Sequence, residues 1–440
     1  MYRKWLLLSL AMPAAAVAQN VRLVQSDSLH PISLGEAVTQ AQRNSPAAVQ
    51  ARGQLRTSSS AIRSAYGAFL PSLSMSMGQT KQGGQRFDPL RGPVTQSASP
   101  WQYSLGFSSN LELFDGGRRF AQLRAARADE SAAEANDVAQ RFTIALNVKR
   151  EYANVLAARE SESAARAQLE QAEAQFRASV ARVQAGAATM SDSLRSVIQV
   201  GNARLALITA QNNLRVASAS LTRLVGTPFL VTANPADTLE RITFTVDSLV
   251  LTELAQRGPA VLQAERNLSA ATADEWAAKT SYLPTVTLGF SYNGNRQDSS
   301  YVLTSFGPYA YGRQFSVRMN YSLFNNFNRE DQVLRARVAE DNAAAQLRDA
   351  RLAAQQSIIQ QIGALRTAEE RIRIQQASVA AAEEDLRVMQ QRYALGASTL
   401  LDLLTSQSQL NQARVALIQA RQDYRVARAQ IEAIVGRDLQ

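Results

Sequence analysis

The chain has 440 residues, 46% of them apolar and 19% charged, which excludes a disordered polypeptide. It holds no cysteine, which excludes disulfides, thiolate chemistry and cysteine zinc sites, and one histidine, His30, so neither a His-Asp-Ser triad nor a multi-histidine metal centre is expected. The 47 Lys and Arg residues against 37 Asp and Glu give a net charge of +10, but the cations are scattered singly through alanine- and glutamine-rich stretches. That is the pattern of a solvated helix face, and nucleic acid is not an expected partner.

Residues 1–18 read as a signal peptide. Arg3 and Lys4 form the charged start, Trp5 to Met12 the apolar stretch, and Ala16-Val17-Ala18 the small-residue cleavage site. A mature chain starting at Gln19 keeps 45 basic and 37 acidic residues, a net charge of +8. Beyond this segment no run of eighteen apolar residues occurs, which rules out membrane-spanning helices but leaves a β-barrel open. No nucleophile, base or metal cluster recurs at a useful spacing, so neither catalysis nor a cofactor is expected.

The rest of the chain is self-similar. Ser45-Pro46-Ala47 and Phe69-Leu70-Pro71 return as Gly258-Pro259-Ala260 and Tyr282-Leu283-Pro284, shifted by 213 positions. After a three-residue loop difference the shift becomes 210, carrying Leu113-Phe114 onto Leu323-Phe324, Asp192 onto Asp402 and Val225-Gly226 onto Val435-Gly436. The expected organisation is an extended segment at 19–33, a first repeat at 34–226, a linker at 227–249, a second repeat at 250–436 and a tail at 437–440. Each repeat reads in the order helix, strand, loop, strand, very long helix, tight turn, helix.

Within each repeat the opening helix is stopped by a proline, Pro71 or Pro284, which also starts a strand. Leu73, Met75 and Met77 alternate with serines, as do Tyr103, Leu105, Phe107, Leu111 and Leu113 with Ser104, Gly106, Ser108, Asn110 and Glu112. In the second repeat Val286, Leu288, Phe290 and Tyr292, then Phe315, Val317, Met319, Tyr321 and Leu323, show the same period of two. These spacings predict strand pairs at 72–113 and 285–323, joined by polar loops at about 79–101 and 293–312. Such faces fit either a soluble sandwich or a barrel with a wet interior. Four strands per chain cannot close a barrel that needs about eight or more, and no second layer is left to cover the apolar face. The count favours a shared barrel in lipid.

The helical hairpins are predicted at 117–226 and 327–436. Arg118 to Gly186 and Asn328 to Gly396 contain no proline and one internal glycine, Gly363, among strong helix formers. Ile358, Leu365, Ile372, Val379, Leu386 and Tyr393 recur every seventh residue, as do Leu403, Leu410, Leu417, Tyr424 and Ile431 after the turn. The first repeat has Val148, Val155, Leu169, Phe176 and Val183, then Val200, Leu207, Leu214 and Leu221, with Glu162 as an interruption. Strict sevens imply coiled-coil packing. Gly186 and Gly396 end the long helices, and Thr189 and Thr399 precede Asp192 and Asp402 by three, the signature of a capping box. The two aspartates fit capping alone, or capping together with pore lining.

These features resemble the TolC-like outer-membrane efflux proteins. The carriers are Leu70-Pro71 and Leu283-Pro284 at the strand entries, Leu113-Phe114-Asp115-Gly116-Gly117 at a strand exit, and Tyr393-Ala394-Leu395-Gly396 followed by Leu400-Leu401-Asp402-Leu403-Leu404. The resemblance implies a mostly α chain with a transmembrane β-barrel portion. Three copies would form a homotrimer with a 12-stranded barrel in outer-membrane lipid and an α-helical tunnel in the periplasm. It implies a passive exit duct, with a periplasmic adaptor and an inner-membrane pump as partners, for efflux or type I secretion. It places the entrance at Asp402, Asp192 and Tyr393, and adaptor docking at the tip with Gly186, Gly396, Thr189 and Thr399. Ser398 and Thr405 stand where some members carry a basic and a second acidic residue, so a gate here needs other locking contacts. The competing reading is a non-conducting coiled-coil spacer of the envelope.

Overall fold

The computed structural model describes residues 29–81, 84–90, 92–96, 100–186, 188–238, 248–298, 301 and 309–438. The expected signal peptide, with Arg3, Lys4 and Ala18, and the start at Gln19 lie outside the described residues, as do parts of the linker and tail. In chain order the elements are β1 (His30–Ile32), α1 (Leu34–Asn44), α2 (Pro46–Gly67), β2 (Ser72–Thr80), β3 (Gly84–Asp88), β4 (Gly92–Gln96), β5 (Trp101–Phe114), α3 (Arg118–Gln184) and α4 (Met190–Val225). Then follow β6 (Val231–Ala233), α5 (Ser248–Ala255), α6 (Pro259–Lys279), β7 (Thr285–Asp298), β8 (Ala310–Asn320), α7 (Asn328–Ala394) and α8 (Leu400–Val435). The chain divides into two compact units, one from residues 1–41, 148–241 and 375–422, the other from 42–147, 242–374 and 423–440.

The second unit holds a four-stranded sheet in the order β2-β5-β7-β8, antiparallel throughout. Four further strands were not anticipated: β3 and β4 pair with each other inside the expected first loop, and β1 pairs with β6. The expected strand limits also shift. β7 continues to Asp298, because backbone pairing outlasts the apolar alternation. β8 stops at Asn320 although Tyr321 and Leu323 keep the alternation, because the chain then turns through Asn326 and Phe327 at φ 56° and 60°. The single opening helix expected in each repeat is two helices. Ser45 takes up extended backbone and accepts a hydrogen bond from Ala48 N–H at 3.3 Å, and Pro46 starts α2 with its φ already fixed.

The long helices α3 and α7 each run 67 residues, on the order of 100 Å at about 1.5 Å per residue, and α4 and α8 each run 36. Their heptads are the buried seam in most places: Val148, Val155, Ile358, Leu365, Ile372, Leu386, Leu403, Leu410, Tyr424 and Ile431 are all buried. Helix α4 departs from this. Ser196, Ala203, Ala210 and Ala217 are buried, whereas Val200, Leu207 and Leu214 are only half-buried. Side chains this short let helix backbones approach closely, at the cost of leaving Ile198, Leu205, Ile208 and Val216 more than half exposed. Glu162, the break in the α3 heptad, is turned to an ion pair with Arg166 one helical turn on.

The first unit contains the two hairpin tips and the β1–β6 pair. Tyr152 donates its hydroxyl proton toward Ile32 O at 2.9 Å and toward Asp237, and the same oxygen accepts from Asn234 N–H at 2.9 Å. Burial, with the Asp237 carboxylate beside it, pushes the phenol pKa up. A neutral Tyr152 thus ties α3 to both short strands.

Candidate functional site

Helix α7 ends in a Schellman turn: Ala397 N–H donates to Arg392 O at 2.8 Å, Gly396 N–H donates to Tyr393 O at 3.1 Å, and Gly396 has φ +76°. Gly186 takes φ +72° at the matching end of α3. Left-handed backbone costs an L-residue about 1–2 kcal/mol, which explains glycine at both places. Helix α8 then opens on a reciprocal cap. The Asp402 carboxylate accepts from Thr399 N–H at 2.9 Å and from the Thr399 hydroxyl at 2.8 Å, while Asp402 N–H donates to Thr399 Oγ1 at 3.2 Å. These bonds from Thr399, with a smaller effect of the Arg392 charge, hold the Asp402 carboxyl below its ordinary pKa. Thr189 and Asp192 form the equivalent box on α4.

Among the described residues neither aspartate bonds to the other tip. The link between tips comes from a residue the sequence reading did not single out. Arg182, in the last turn of α3, donates from Nη1 to Tyr393 O at 2.7 Å, and its guanidinium lies 4.6 Å from the centre of the Tyr393 ring. Arg182 and Arg392 stand 210 residues apart in sequence, yet among the described residues Arg392 hydrogen-bonds Ala397 O within its own turn, at 3.4 Å, and not the other tip. No local pattern distinguishes the two arginines; the signal is the tertiary pairing itself. Tyr393 also packs on the apolar cluster of Leu386, Leu400, Leu403 and Leu410. Ser398 Oγ finds no hydrogen-bond partner among the described residues, and Thr405 bonds back to Leu401 O within its own helix.

The sheet of the second unit has two chemically opposite faces. Cross-strand register puts Leu73, Ser109, Phe290 and Phe315 on one row, Met75, Phe107, Tyr292 and Arg313 on the next, and Leu111, Leu288 and Val317 on another. Leu73, Phe315, Val317 and Met319 are between 67% and 79% exposed, so nothing among the described residues covers this part of the face, whereas Tyr103 toward the loop end is buried. The other face carries Ser74, Ser76, Ser104, Ser108, Asn110, Ser291, Asn293 and Ser316; the Ser74 and Ser108 hydroxyls meet at 2.7 Å. Glu112 there is paired with Arg118 at 3.0 Å. Pro71 immediately precedes β2 and Pro284 immediately precedes β7. At the exit of β5, Asp115 is buried, accepts from Arg119 N–H and Nε at 2.9 Å each, and accepts from Gly117 N–H at 3.1 Å.

An alternating sheet leading into 67-residue helices fits few folds, and a family model described as outer membrane efflux protein matches residues 37–227 and again residues 250–437. The chain belongs to the outer membrane efflux protein family. Protein CyaE of Bordetella pertussis is 29% identical over 330 residues, covering 73% of this chain and 66% of CyaE. Pyoverdine export outer membrane protein OpmQ of Pseudomonas aeruginosa is 29% identical over 274 residues, covering 61% of this chain and 54% of OpmQ. The matches thus span less than two thirds of either relative's own length. The crystal structure of the outer membrane protein VceC from Vibrio cholerae superposes with a TM-score of 0.72 at 19% identity, over 92% of this chain and 97% of VceC, which shows a shared fold. The TolC-like resemblance carried by the duplicated motifs is therefore correct at the level of the family.

Proposed function

We propose that three copies of the chain, each built from two tandem repeats, close a 12-stranded barrel in the outer membrane and continue as an α-helical tunnel through the periplasm. The assembly conducts cargo passively, as the exit duct of a tripartite efflux or type I secretion system. Energy comes from an inner-membrane pump, coupled through a periplasmic adaptor. The observation that carries the reading is the four-stranded sheet, with one largely uncovered apolar face, one hydroxyl- and amide-lined face, and two edge strands, β2 and β8, that each have one partner among the described residues. In hydrocarbon an open sheet edge leaves backbone groups without hydrogen bonds, so sister copies must close the ring. The exposed side chains of α4 and a groove of about 830 Å³ beside Leu205, Val216 and Val415 give the helices a matching need for partners. The export of pyoverdine named for OpmQ supports small-molecule cargo.

At the tips, Gly186, Thr189, Gly396 and Thr399 form the surface offered to the adaptor, while Asp192, Asp402 and Tyr393 line the entrance. Packing of Tyr393 and the Arg182 bond hold the entrance narrow, against only a weak repulsion between sister carboxylates in water. Purified protein in planar bilayers tests the reading. Discrete conductance from a detergent-stable trimer is expected. Correctly folded trimer that never conducts favours the envelope spacer, and a compact, water-soluble monomer without detergent overturns both.

A further inference from the structure

Formal charge on the apolar face of the sheet is confined to one end. The rows nearest the helices, with Phe114, Leu111, Val286, Leu288, Val317 and Met319, carry none. At the loop end stand Lys81, directly after β2; Arg296, opposite Tyr103 on β5; and Arg313, fourth residue of β8 and opposite Tyr292. Arg296 is neutralised by Asp298 at 2.8 Å. Lys81 and Arg313 are exposed, and neither has an ion-pair partner among the described residues.

Both cations sit among aromatics of the kind that anchor at a membrane interface. Lys81 Nζ lies 5.5 Å from the Trp101 ring centre, and Tyr292 stacks on Tyr311 at 5.1 Å with planes 13° apart. Aromatic girdles mark where an apolar barrel band meets headgroups, and long basic side chains rest their stems on that band with the charge raised into the polar layer. A neutral polar surface would satisfy the tyrosines and the tryptophan alone. Two cations above an apolar face, without an ion-pair partner among the described residues, favour anions held at a fixed depth, which is what a phosphorylated lipid presents and a dissolved anion does not.

We propose that the loop end of this face docks the phosphate-bearing headgroups of outer-leaflet glycolipid, with Lys81 and Arg313 as the phosphate-binding side chains and the girdle around Trp101 and Tyr292 seating the sugar and upper acyl region. The inference rests on the barrel reading above, because only there does the face meet lipid. It assigns the two cations a role that conduction does not need.

The test uses full-length trimer in nanodiscs, titrated with lipid A and with dephosphorylated lipid A. Wild-type protein is expected to prefer the phosphorylated form. The double substitution Lys81→Gln with Arg313→Gln should weaken that binding roughly 30-fold, each charge contributing about fivefold. The exchange Lys81→Arg with Arg313→Lys should keep it, and Arg318→Gln, on the opposite face, should leave it unchanged. Equal binding of the two lipids, equal binding by the double variant, or full competition by millimolar inorganic phosphate overturns the assignment. Conductance measured on the same samples separates the two readings. A conducting trimer without phosphate preference sinks the lipid site alone, whereas absence of any trimer sinks the barrel and this inference with it.

Discussion

Replacing Arg182 by Ala is the most direct probe of the tip. The substitution removes a charged hydrogen bond of 2.7 Å to a helix-terminal carbonyl, an interaction worth about 1.5–3 kcal/mol. It also removes a guanidinium 4.6 Å from the Tyr393 ring, worth about 0.5–1 kcal/mol where solvent reaches the pair. Arg182 is half-buried, so the lower ends apply and the loss is about 2 kcal/mol, or roughly 30-fold in the equilibrium between tethered and released tips. Hydrogen exchange reads this quantity, because the amides of the last α7 turn exchange only when that turn opens. Protection at Gln391 to Ala394 should fall about 30-fold, while protection of the sheet amides stays unchanged. Tyr393→Leu keeps the carbonyl and removes the ring, so a double-mutant cycle should assign about 0.5–1 kcal/mol to stacking and the rest to the hydrogen bond. In bilayers the Arg182 variant should conduct more than wild type. Unchanged protection together with unchanged conductance would show that the tether does not restrain the entrance.

Three further outcomes are expected. Gly396→Val forces a β-branched residue to φ +76° in otherwise open space, so its cost of about 1–2 kcal/mol is purely conformational; dye efflux should drop while heat-stable trimer forms normally, and unimpaired efflux would remove the tip from adaptor docking. Gly116→Ala places a Cβ 2.4 Å from Leu283 Cβ at φ +68°, whereas Gly117→Ala at φ +81° meets nothing; the first should lose more than about 2 kcal/mol by thermal unfolding in detergent and the second about 1. Asp402 has its pKa lowered by the Thr399 bonds, so its contribution is fully present above the ordinary value of 3.8 and is lost as pH falls through the lowered one. Exchange at Thr399 to Leu403 should therefore quicken only below about pH 4, and in Asp402→Asn that acid dependence should vanish.

The strands and long helices were readable because periods of two and seven are set by backbone geometry, and Met75, Phe107, Ile358 and Leu403 obey them without reference to anything distant. The short pair His30–Ile32 with Val231–Ala233 was not readable, since three residues carry no period and the pairing joins segments about two hundred positions apart. The seam of α4 misled for a different reason. The larger residues Val200, Leu207 and Leu214 define a heptad, but the buried row is Ser196, Ala203, Ala210 and Ala217, and composition alone does not say which of two interleaved rows faces a neighbour. Asp115-Gly116-Gly117 marked the exit of β5 through its glycines. Asn325-Asn326-Phe327 makes the second exit with left-handed non-glycine residues, a conformation Phe327 adopts against its intrinsic preference while its ring meets Phe324 edge-on at 5.4 Å. At the tips the capping boxes were legible as i, i+3 pairs, whereas Arg182 meeting Tyr393 depends on two hairpins coming together.

The two single-partnered strands β2 and β8 carry a genetic consequence. If closure takes three subunits, a protomer spoiled at only one edge still joins through the other and poisons the ring it enters. With equal supply of good and bad subunits, about one ring in eight escapes. Lesions along β2 or β8 should thus behave as dominant alleles, whereas lesions that keep a protomer from folding at all should be recessive.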